Sequence, residues 1–232
     1  MSSWKFDTPN AQAINKARLD HLVSLGLHLQ GKTVLEVGSG IGLLTSLFES
    51  LGCYVISTDG RESNVAENLS RHPWREGRVF VVDLEGECGH GPFPIFDVVF
   101  CYGTLYHTCY PSHVLESLAR VCSGMLLLES RVWPVDDRMR HIRTETTAAE
   151  DQSLRGYGCQ PARDWVMTEL QKLFAYSYVT TTQPNHPEFP VTWPVEDSRH
   201  KLRSRSVFVA SRDPLTSEYL STSLLDQQGR IA

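Results

Sequence analysis

Three glycines on alternate positions form the part of this sequence whose residue types and spacing best suit ligand chemistry. An apolar run ends near Glu36, and Gly38, Gly40 and Gly42 follow before an apolar helical pattern begins. Glycine accepts positive φ, and because it has no Cβ it lets a ligand lie against the backbone. The next helix presents free N–H groups and a positive dipole end to that ligand. We therefore predict a strand, a ligand-binding turn that includes Ser39, and a helix.

The spacing of these glycines separates two ligand classes. In the dinucleotide fingerprint G-x-G-x-x-G, the third glycine would fall at position 43, where this chain has Leu43. The observed pattern is instead E-x-G-x-G-x-G. On this motif alone, an ordinary glycine turn of another α/β protein stays open as the alternative.

Acidic residues end the next two predicted strands. Asp59 follows the predicted strand 54–58, about twenty residues past the glycine turn, where nucleotide folds bind ribose hydroxyls. A carboxylate accepts from both hydroxyls, and Gly60 keeps the neighbouring backbone out of the way. Asp83 follows the third predicted strand, residues 79–82, with Leu84 directly after it.

Strands and helices alternate from residue 32 to residue 130, which predicts a parallel sheet with helices on both faces. After the first strand, further strands are predicted at 54–58, 79–82, 95–101, 124–130, 175–182 and 206–211. Helices are predicted at 10–26, 43–51, 61–71, 112–122 with Ser112 as its cap, and 161–174. We expect one domain over residues 1–212 and a flexible polar tail over residues 213–232.

The composition and charge of the chain indicate which compartment and which partners to expect. The chain has 232 residues, 41% of them hydrophobic, and a formal net charge of −5. That charge argues mildly against a nucleic acid as the main partner. The six cysteines form no C-x-x-C pair, and no apolar run reaches the length of a membrane span. We expect a cytoplasmic protein with reduced thiols, bound to no membrane; the oligomeric state, monomer or dimer, stays open.

Four segments together resemble class I S-adenosylmethionine-dependent methyltransferases: residues 36–42, Asp59, Asp83 with Leu84, and residues 96–100 followed by Tyr106 and His107. The resemblance spans residues 32–130 plus a typical last hairpin. It implies an α/β, Rossmann-like three-layer sandwich whose seven-stranded, mostly parallel sheet has an antiparallel last strand. It also implies S-adenosylmethionine as methyl donor.

The resemblance also implies roles for single residues. Asp83 is placed on the adenine amino group and Leu84 on the adenine ring, and the end of the fourth strand adds Cys101 and Tyr102 to the cofactor contacts. The segment 102–107 is similar to the fourth motif of small-molecule methyltransferases and to that of enzymes that carboxymethylate wobble uridine in transfer RNA. No N/D-P-P-Y/F motif occurs, which argues against methylation of bases or glutamine amides of that type.

Substrate choice is expected to reside in an N-terminal helical lid, residues 1–31, and in two insertions, residues 131–160 and 183–205. Both insertions follow carboxyl ends of parallel strands, where ligands bind in such sheets. The predicted lid helix carries Arg18 and His21 off its apolar stripe. The candidate substrate contacts are Tyr106, Arg140, Arg143, His186, Glu188 and Trp193.

Each group of these contacts has a structural alternative. The basic cluster of the first insertion fits a carboxylate or phosphate on the substrate, but interspersed acidic residues are typical of a solvated, charge-balanced face. The cluster consists of Arg131, Arg138, Arg140, His141 and Arg143. The proline-rich loop 183–194 fits a binding loop, or else a surface loop with packed aromatic residues.

The chemistry of methyl transfer selects one candidate base. The reaction is an in-line displacement, so the protein mainly positions the acceptor, and an amine or hydroxyl acceptor must also lose a proton. His107 lies at the expected mouth of the site and titrates in a suitable range. The alternative is that it only shapes the pocket or contacts the cofactor. No metal-ligand spacing stands out, and no metal is predicted.

The sequence thus predicts a methyltransferase acting on an oxygen or nitrogen atom of a small polar molecule. One alternative is an alkyl or methyl transferase of the transfer RNA wobble-uridine type, which the charge of −5 opposes. Another is a non-catalytic, cofactor-binding partner subunit, because the binding motifs show only that binding is plausible.

Overall fold

An eight-stranded β-sheet forms the centre of the protein. The computed structural model describes residues 4–86, 94–135, 137–194 and 203–231. The strands are β1 (Thr33–Val37), β2 (Tyr54–Asp59), β3 (Val79–Val81), β4 (Phe96–Tyr102), β5 (Cys122–Arg131), β6 (Arg140–Thr144), β7 (Tyr157–Pro161), β8 (Tyr176–Thr180), β9 (Thr182–Gln183), β10 (Arg205–Ser211), β11 (Leu220–Ser221) and β12 (Gly229–Arg230). The α-helices are α1 (Pro9–Ser24), α2 (Thr45–Ser50), α3 (Glu62–Arg71), α4 (Pro111–Arg120) and α5 (Arg163–Leu173), with 3₁₀ turns at Lys5–Asp7, Pro73–Arg75 and Leu105–His107.

The strand order of the large sheet is β11-β8-β10-β5-β4-β1-β2-β3. Neighbours from β3 through β5 are parallel, whereas β10 is antiparallel to both β5 and β8. Apart from β11, this is the predicted sheet of seven strands with one antiparallel strand near the end of the chain. The predicted fold class is confirmed, and the short β11 adds an eighth strand.

Alternation of side chains along the strands produces three layers. On β4, Val99 and Cys101 pack in the core that includes α4 and α5, whereas Val98 and Phe100 pack in the core that includes α1 and α2. Strands buried on both faces read as continuous apolar runs, as β4 does. Within the described ranges, none of the helices has both the length and the apolar composition needed to cross a membrane.

The strand order places the polar ends of the central strands at one crevice. The chain proceeds from β1 to β2 and β3 on one side, and returns to β4 and β5 on the other. Ligands of open α/β sheets bind outside the carboxyl ends of the strands at such a switch point. The glycine turn after β1, Asp59 at the end of β2 and Gly103 after β4 therefore share one edge.

The C-terminal segment packs against the sheet, so the expectation of a flexible tail from residue 213 is wrong for the described residues. Leu220 and Ser221 pair with β8, and Gly229 and Arg230 pair with β9. Leu224 and Leu225 pack against the apolar core that includes α5. The polar sequence did not reveal these contacts because most of them are backbone pairs.

Several predicted boundaries shift. The insertion after β5 contains the antiparallel hairpin β6–β7, and Pro161 ends β7, so the helix expected from residue 161 begins at Arg163. Ser112 lies inside α4, which begins with Pro111 after Tyr110 and lacks a side-chain cap. Residues 195–202 of the second predicted insertion, and residues 1–3 of the predicted lid, lie outside the described residues.

Gln228 joins the C-terminal segment to the rest of the fold, and we expect Gln228→Ala to lower the free energy of unfolding by about 2–3 kcal/mol. Its Oε1 accepts from Nε1 of Trp193 (2.7 Å) and from Nε2 of Gln183 (3.1 Å), and its Nε2 donates to the Thr180 carbonyl (2.5 Å). The truncation leaves these buried groups unsatisfied. Urea denaturation measures the change, with the exposed neighbour Gln227→Ala as control. Equal losses in both variants would contradict the role of Gln228.

Candidate active site

The three glycines of the turn all adopt positive φ, at 67° for Gly38, 54° for Gly40 and 78° for Gly42. A Cβ on Gly38 would collide with the side chain of Thr104, which follows β4 and donates to the carbonyl of Val37 at 3.2 Å. Glycine is required there because the segment after β4 crosses directly over the turn.

An aromatic ring from the N-terminal segment covers the middle of the turn. A Cβ on Gly40 would lie 2.9 Å from Cε1 of Phe6, so this glycine makes room for protein as well as for a ligand. Phe6 lines both cavities described below. The lid role predicted for residues 1–31 stays a prediction.

Two residues predicted to contact the cofactor lie beneath the site. The carboxylate of Glu36 is 2% exposed and accepts from the hydroxyls of Thr45 (2.5 Å) and Ser57 (2.9 Å), so it supports the turn from below. Burial raises the pKa of Glu36 to about 7. Cys101 is fully buried in the apolar core. Neither residue lines either of the two cavities described below, and the prediction that they contact the cofactor stays a prediction.

The first cavity lies at the ends of β2 and β3. It is lined by Asp59, Gly60, Asp83, Leu84 and His107, among others. Asp59 is fixed by three donors: the Gly40 amide at 2.8 Å, the Arg61 amide at 2.9 Å and Nδ2 of Asn64 at 3.0 Å. Burial is the largest effect on the pKa of Asp59 and raises it.

The first insertion forms the outer wall of this first cavity. The guanidinium of Arg61 donates to the carbonyls of Thr147, Gln152 and Ser153, each at 3.1 Å. A Cβ on Gly60 would collide with Leu154, and Arg155 forms an ion pair with Asp83 at 2.5 Å. The insertion expected on the substrate side therefore also encloses the cavity predicted for the cofactor.

The second cavity adjoins the first and shares Phe6, Gly38, Gly103 and His107 with it. Its walls also contain Ser39, Tyr102, Tyr106, Arg18, Arg131 and Arg205. The hydroxyls of Ser39 and Tyr102 are buried, and neither has a hydrogen-bond partner in the part of the chain that the structure describes. Buried polar groups are nearly always paired, so both hydroxyls fit contacts to a bound molecule.

His107 stands where the two cavities meet, and Glu145 of the insertion orients it. Glu145 has a lowered pKa: burial alone would raise it, but the hydrogen bond and charge of His107 lower it. The ionised Oε2 therefore accepts from Nδ1 of His107 at 2.6 Å and from the Ser153 amide at 2.7 Å. This bond leaves Nε2 of His107 to accept a proton, the geometry that a general base needs.

Tyr106 packs beside His107 in a strongly positive environment. The two rings lie 4.0 Å apart, and the Tyr106 ring lies 5.1 Å from the guanidinium of Arg131 and 5.2 Å from that of Arg205. Burial would raise the pKa of Tyr106, but Arg205, His107 and Arg131 lower it to about 7. Burial would lower the pKa of His107, yet Tyr106 and Glu145 raise it.

A buried ionic network supports the second cavity. Fully buried Glu129 on β5 accepts from Arg18 of α1 and, at 3.0 Å, from Nη1 of Arg205 on β10. Nε of Arg205 also donates to Glu188 at 2.8 Å, and its Nη2 donates to the Tyr106 hydroxyl at 3.3 Å. Glu129, Arg205 and Glu145 were not among the predicted site residues, and Arg18 was predicted only to lie off the apolar stripe of its helix.

The other predicted substrate contacts lie farther from the two cavities. Arg143 donates to Oε1 of Gln160 at 3.0 Å and lines a small cavity beside Tyr106. Arg140 packs over Trp165, with its guanidinium 5.8 Å from the ring centroid. Glu188 supports Arg205 from behind.

The proline-rich loop does not line the two main cavities either. Trp193 is 3% exposed, donates to Gln228 and lies 4.0 Å from the guanidinium of Arg163. Nδ1 of His186 accepts from the Glu188 amide at 3.1 Å. Of this loop, only Glu188 therefore bears on the site, and it does so through Arg205.

These features define a class of protein. Residues 35–125 match the family described as a methyltransferase domain. Together with the strand order and the three-glycine turn, this match identifies residues 35–125 as a methyltransferase domain with the class I, Rossmann-like fold. No curated protein sequence matches the chain significantly.

Solved structures share the fold at low sequence identity. The N-terminal domain of EvdMO1, solved with S-adenosylhomocysteine and D-fucose, is 20% identical with a TM-score of 0.63, over 88% of this chain and 84% of that one. Magnesium protoporphyrin IX methyltransferase (ChlM) from Synechocystis PCC 6803 is 17% identical with a TM-score of 0.56, over 88% and 80%. A methyltransferase from Mesorhizobium loti is 12% identical with a TM-score of 0.58, over 84% and 98%.

Glu145 should raise the pKa of His107, and histidine NMR titration measures this directly. We expect a pKa above 6.5 in the wild type and a lower pKa in Glu145→Gln, because the variant loses the charge that stabilises the imidazolium. The base form of His107 then predominates only above its raised pKa, so methyl transfer should accelerate as the pH rises through that value.

Two controls accompany this titration. His107→Gln assigns the resonance, and Glu150→Gln, a change in the same insertion, should leave the titration unmoved. An unchanged His107 pKa in Glu145→Gln would refute the coupling.

Proposed function

We propose that this protein transfers a methyl group from S-adenosylmethionine to an oxygen or nitrogen atom of a small polar molecule held in the second cavity. The observation that carries the proposal is the His107–Glu145 pair at the junction of the two cavities. A base placed there lies between a donor in one cavity and an acceptor in the other.

The first cavity suits the adenosine portion of the cofactor. The geometry refines the role of Asp59: its three donors leave one acceptor site on Oδ2, enough for one ribose hydroxyl instead of the two first expected. We assign Asp83 and Leu84 to the adenine, and the buried hydroxyls of Ser39 and Tyr102 to the amino-acid end. Both hydroxyls line the second cavity, beside the glycine turn.

The methyl donor and the protein contribute different parts of the proposed reaction. S-adenosylmethionine supplies a methyl group on a sulfonium centre whose leaving group is already activated. The protein orients the acceptor, and Nε2 of His107 takes the proton that a hydroxyl or amine loses. Glu145 holds the imidazole in the required tautomer and stabilises the imidazolium that forms. The negative net charge and the enclosing N-terminal segment favour a small acceptor over a transfer RNA.

We expect Asp59→Ala to weaken S-adenosylmethionine binding by about 1.5–3 kcal/mol, because a hydrogen bond to a charged group is lost. Calorimetric titration measures the change. Asn64→Ala is the matched control, since it removes a donor to Asp59 but leaves the carboxylate in place. If both variants weaken binding equally, the effect comes from loosening of the turn and the ribose assignment is wrong.

Product analysis tests the reaction itself. We expect the wild-type protein, incubated with a metabolite extract and S-adenosylmethionine carrying a deuterated methyl group, to yield a labelled small molecule detectable by mass spectrometry. His107→Ala should bind the cofactor but form at least tenfold less product, whereas His141→Ala, outside both cavities, should retain activity. Label recovered in transfer RNA would favour the wobble-uridine alternative. Cofactor binding without release of S-adenosylhomocysteine would favour a non-catalytic subunit.

A further inference from the structure

Three arginines line the second cavity, but they differ in how much of their hydrogen-bonding capacity is used. Arg18 donates to Glu129 and Asn15 through its two terminal nitrogens, leaving only its Nε without a partner in the described residues, and Arg205 is bonded to Glu129, Glu188 and Tyr106. The nearest carboxylate oxygen to Arg131, on Glu188, lies 3.9 Å from its Nη2. Across the described residues, the guanidinium of Arg131 makes no hydrogen bond, and its Nε is buried without a partner.

The charge balance of the cavity leaves a positive excess near Arg131. Three guanidinium groups, those of Arg18, Arg131 and Arg205, face two carboxylates, those of Glu129 and Glu188. The remaining charged groups nearly cancel, because Lys5 and Asp151 line the same cavity and His107 is paired with Glu145. The same charges lower the pKa of Tyr106, since Arg205, His107 and Arg131 all face its ring.

The position of Arg131 relates this excess to the proposed base. Its guanidinium lies over one neighbour, Tyr106, whose ring also contacts His107. A planar guanidinium with uncommitted donors binds a carboxylate through two parallel hydrogen bonds. A single positive excess matches one such group.

We infer that the methyl acceptor is an acid whose carboxylate binds Arg131, with its nucleophilic oxygen or nitrogen a few bonds away, beside His107. The inference rests on the proposed function and names the substrate class of the same site. It narrows the anion site, predicted for the arginine cluster with Arg140 and Arg143 as its substrate contacts, to Arg131 alone, which lies on the cavity wall.

The amino-acid end of the cofactor is a second source of a carboxylate. Arg18 lies nearer that end, because it lines the same cavity as Ser39 and a Cβ on Gly103, just after β4, would lie 2.8 Å from its Nη2. Arg131 lines the second cavity too, but it also lines the small cavity that it shares with Glu145 and Gln160, which Arg18 does not line. We therefore expect Arg131→Met to leave binding of S-adenosylmethionine unchanged relative to methylthioadenosine, which lacks the amino-acid portion.

Matched acid and amide probes test the inference in protein with and without S-adenosylhomocysteine. The pairs are 4-hydroxybenzoate with 4-hydroxybenzamide, and lactate with lactamide, titrated by calorimetry. We expect at least one acid to bind tenfold more tightly than its amide. Arg131→Met should reduce that preference to within twofold, Arg131→Lys should keep part of it, and Arg140→Met should keep all of it. Thermal melting confirms that each variant is folded.

The outcomes separate the two proposals. The inference is overturned if neither acid binds better than its amide, or if Arg131→Met keeps the preference. It is also overturned if Arg131→Met selectively weakens S-adenosylmethionine against methylthioadenosine, because Arg131 would then serve the cofactor. A wild-type protein that does not bind S-adenosylmethionine refutes the proposed function, whereas the acid preference without cofactor still reports on Arg131.

Discussion

The fully buried carboxylate of Glu129 is the constraint on which the substrate side of this fold depends. A charge without water must be matched, and Glu129 is matched by Arg18 from α1 and Arg205 from β10. Burial alone would raise the pKa of Glu129, but these two arginines hold it below its usual value. Removing one partner of such a pair typically costs about 3–5 kcal/mol. The network thus fixes α1 and β10 at the end of β5, and the N-terminal segment that carries Phe6 is held over the glycine turn.

A second constraint links the two cavities through the first insertion. Residues 147–155 wall the first cavity through Arg61 and Asp83, while Glu145 of the same insertion orients His107. The proton-accepting geometry of His107 is therefore complete only when the insertion is packed on the end of β2. The segment that encloses the first cavity therefore also orients His107, the proposed base.

The features of the fold and site that depend on local sequence pattern were predicted from the sequence. Alternating apolar runs and acids at strand ends were enough to identify the fold, the glycine turn and the placement of Asp59 and Asp83 at the crevice. Cys101 and Tyr102 were both predicted to contact the cofactor, but successive residues of a strand face opposite sides. Tyr102 lines the second cavity, whereas the side chain of Cys101 lies in the core. The prediction assigned both residues to the cofactor and did not take this alternation into account.

The contacts that prediction missed connect distant parts of the chain. Glu145 lies 38 residues from His107, and Arg205 lies 99 residues from Tyr106. The helical pattern predicted that Arg18 lies off the apolar stripe of its helix, on the side that usually faces water. In the structure, Arg18 faces the buried carboxylate of Glu129. No spacing within one segment encodes such a partner.

The three cavity arginines show why residue type alone does not assign a role. Arg205 donates hydrogen bonds to Glu129, Glu188 and Tyr106 and supports the cavity wall. Arg18 neutralises Glu129 beside the glycine turn. Arg131 has the same chemistry, but its nearest carboxylate oxygen is 3.9 Å away. An arginine binds a ligand only with donors that the protein has not used, so recognition falls to the arginine that the buried network leaves out. The same carboxylates that stabilise the fold thereby decide where an anionic acceptor can bind.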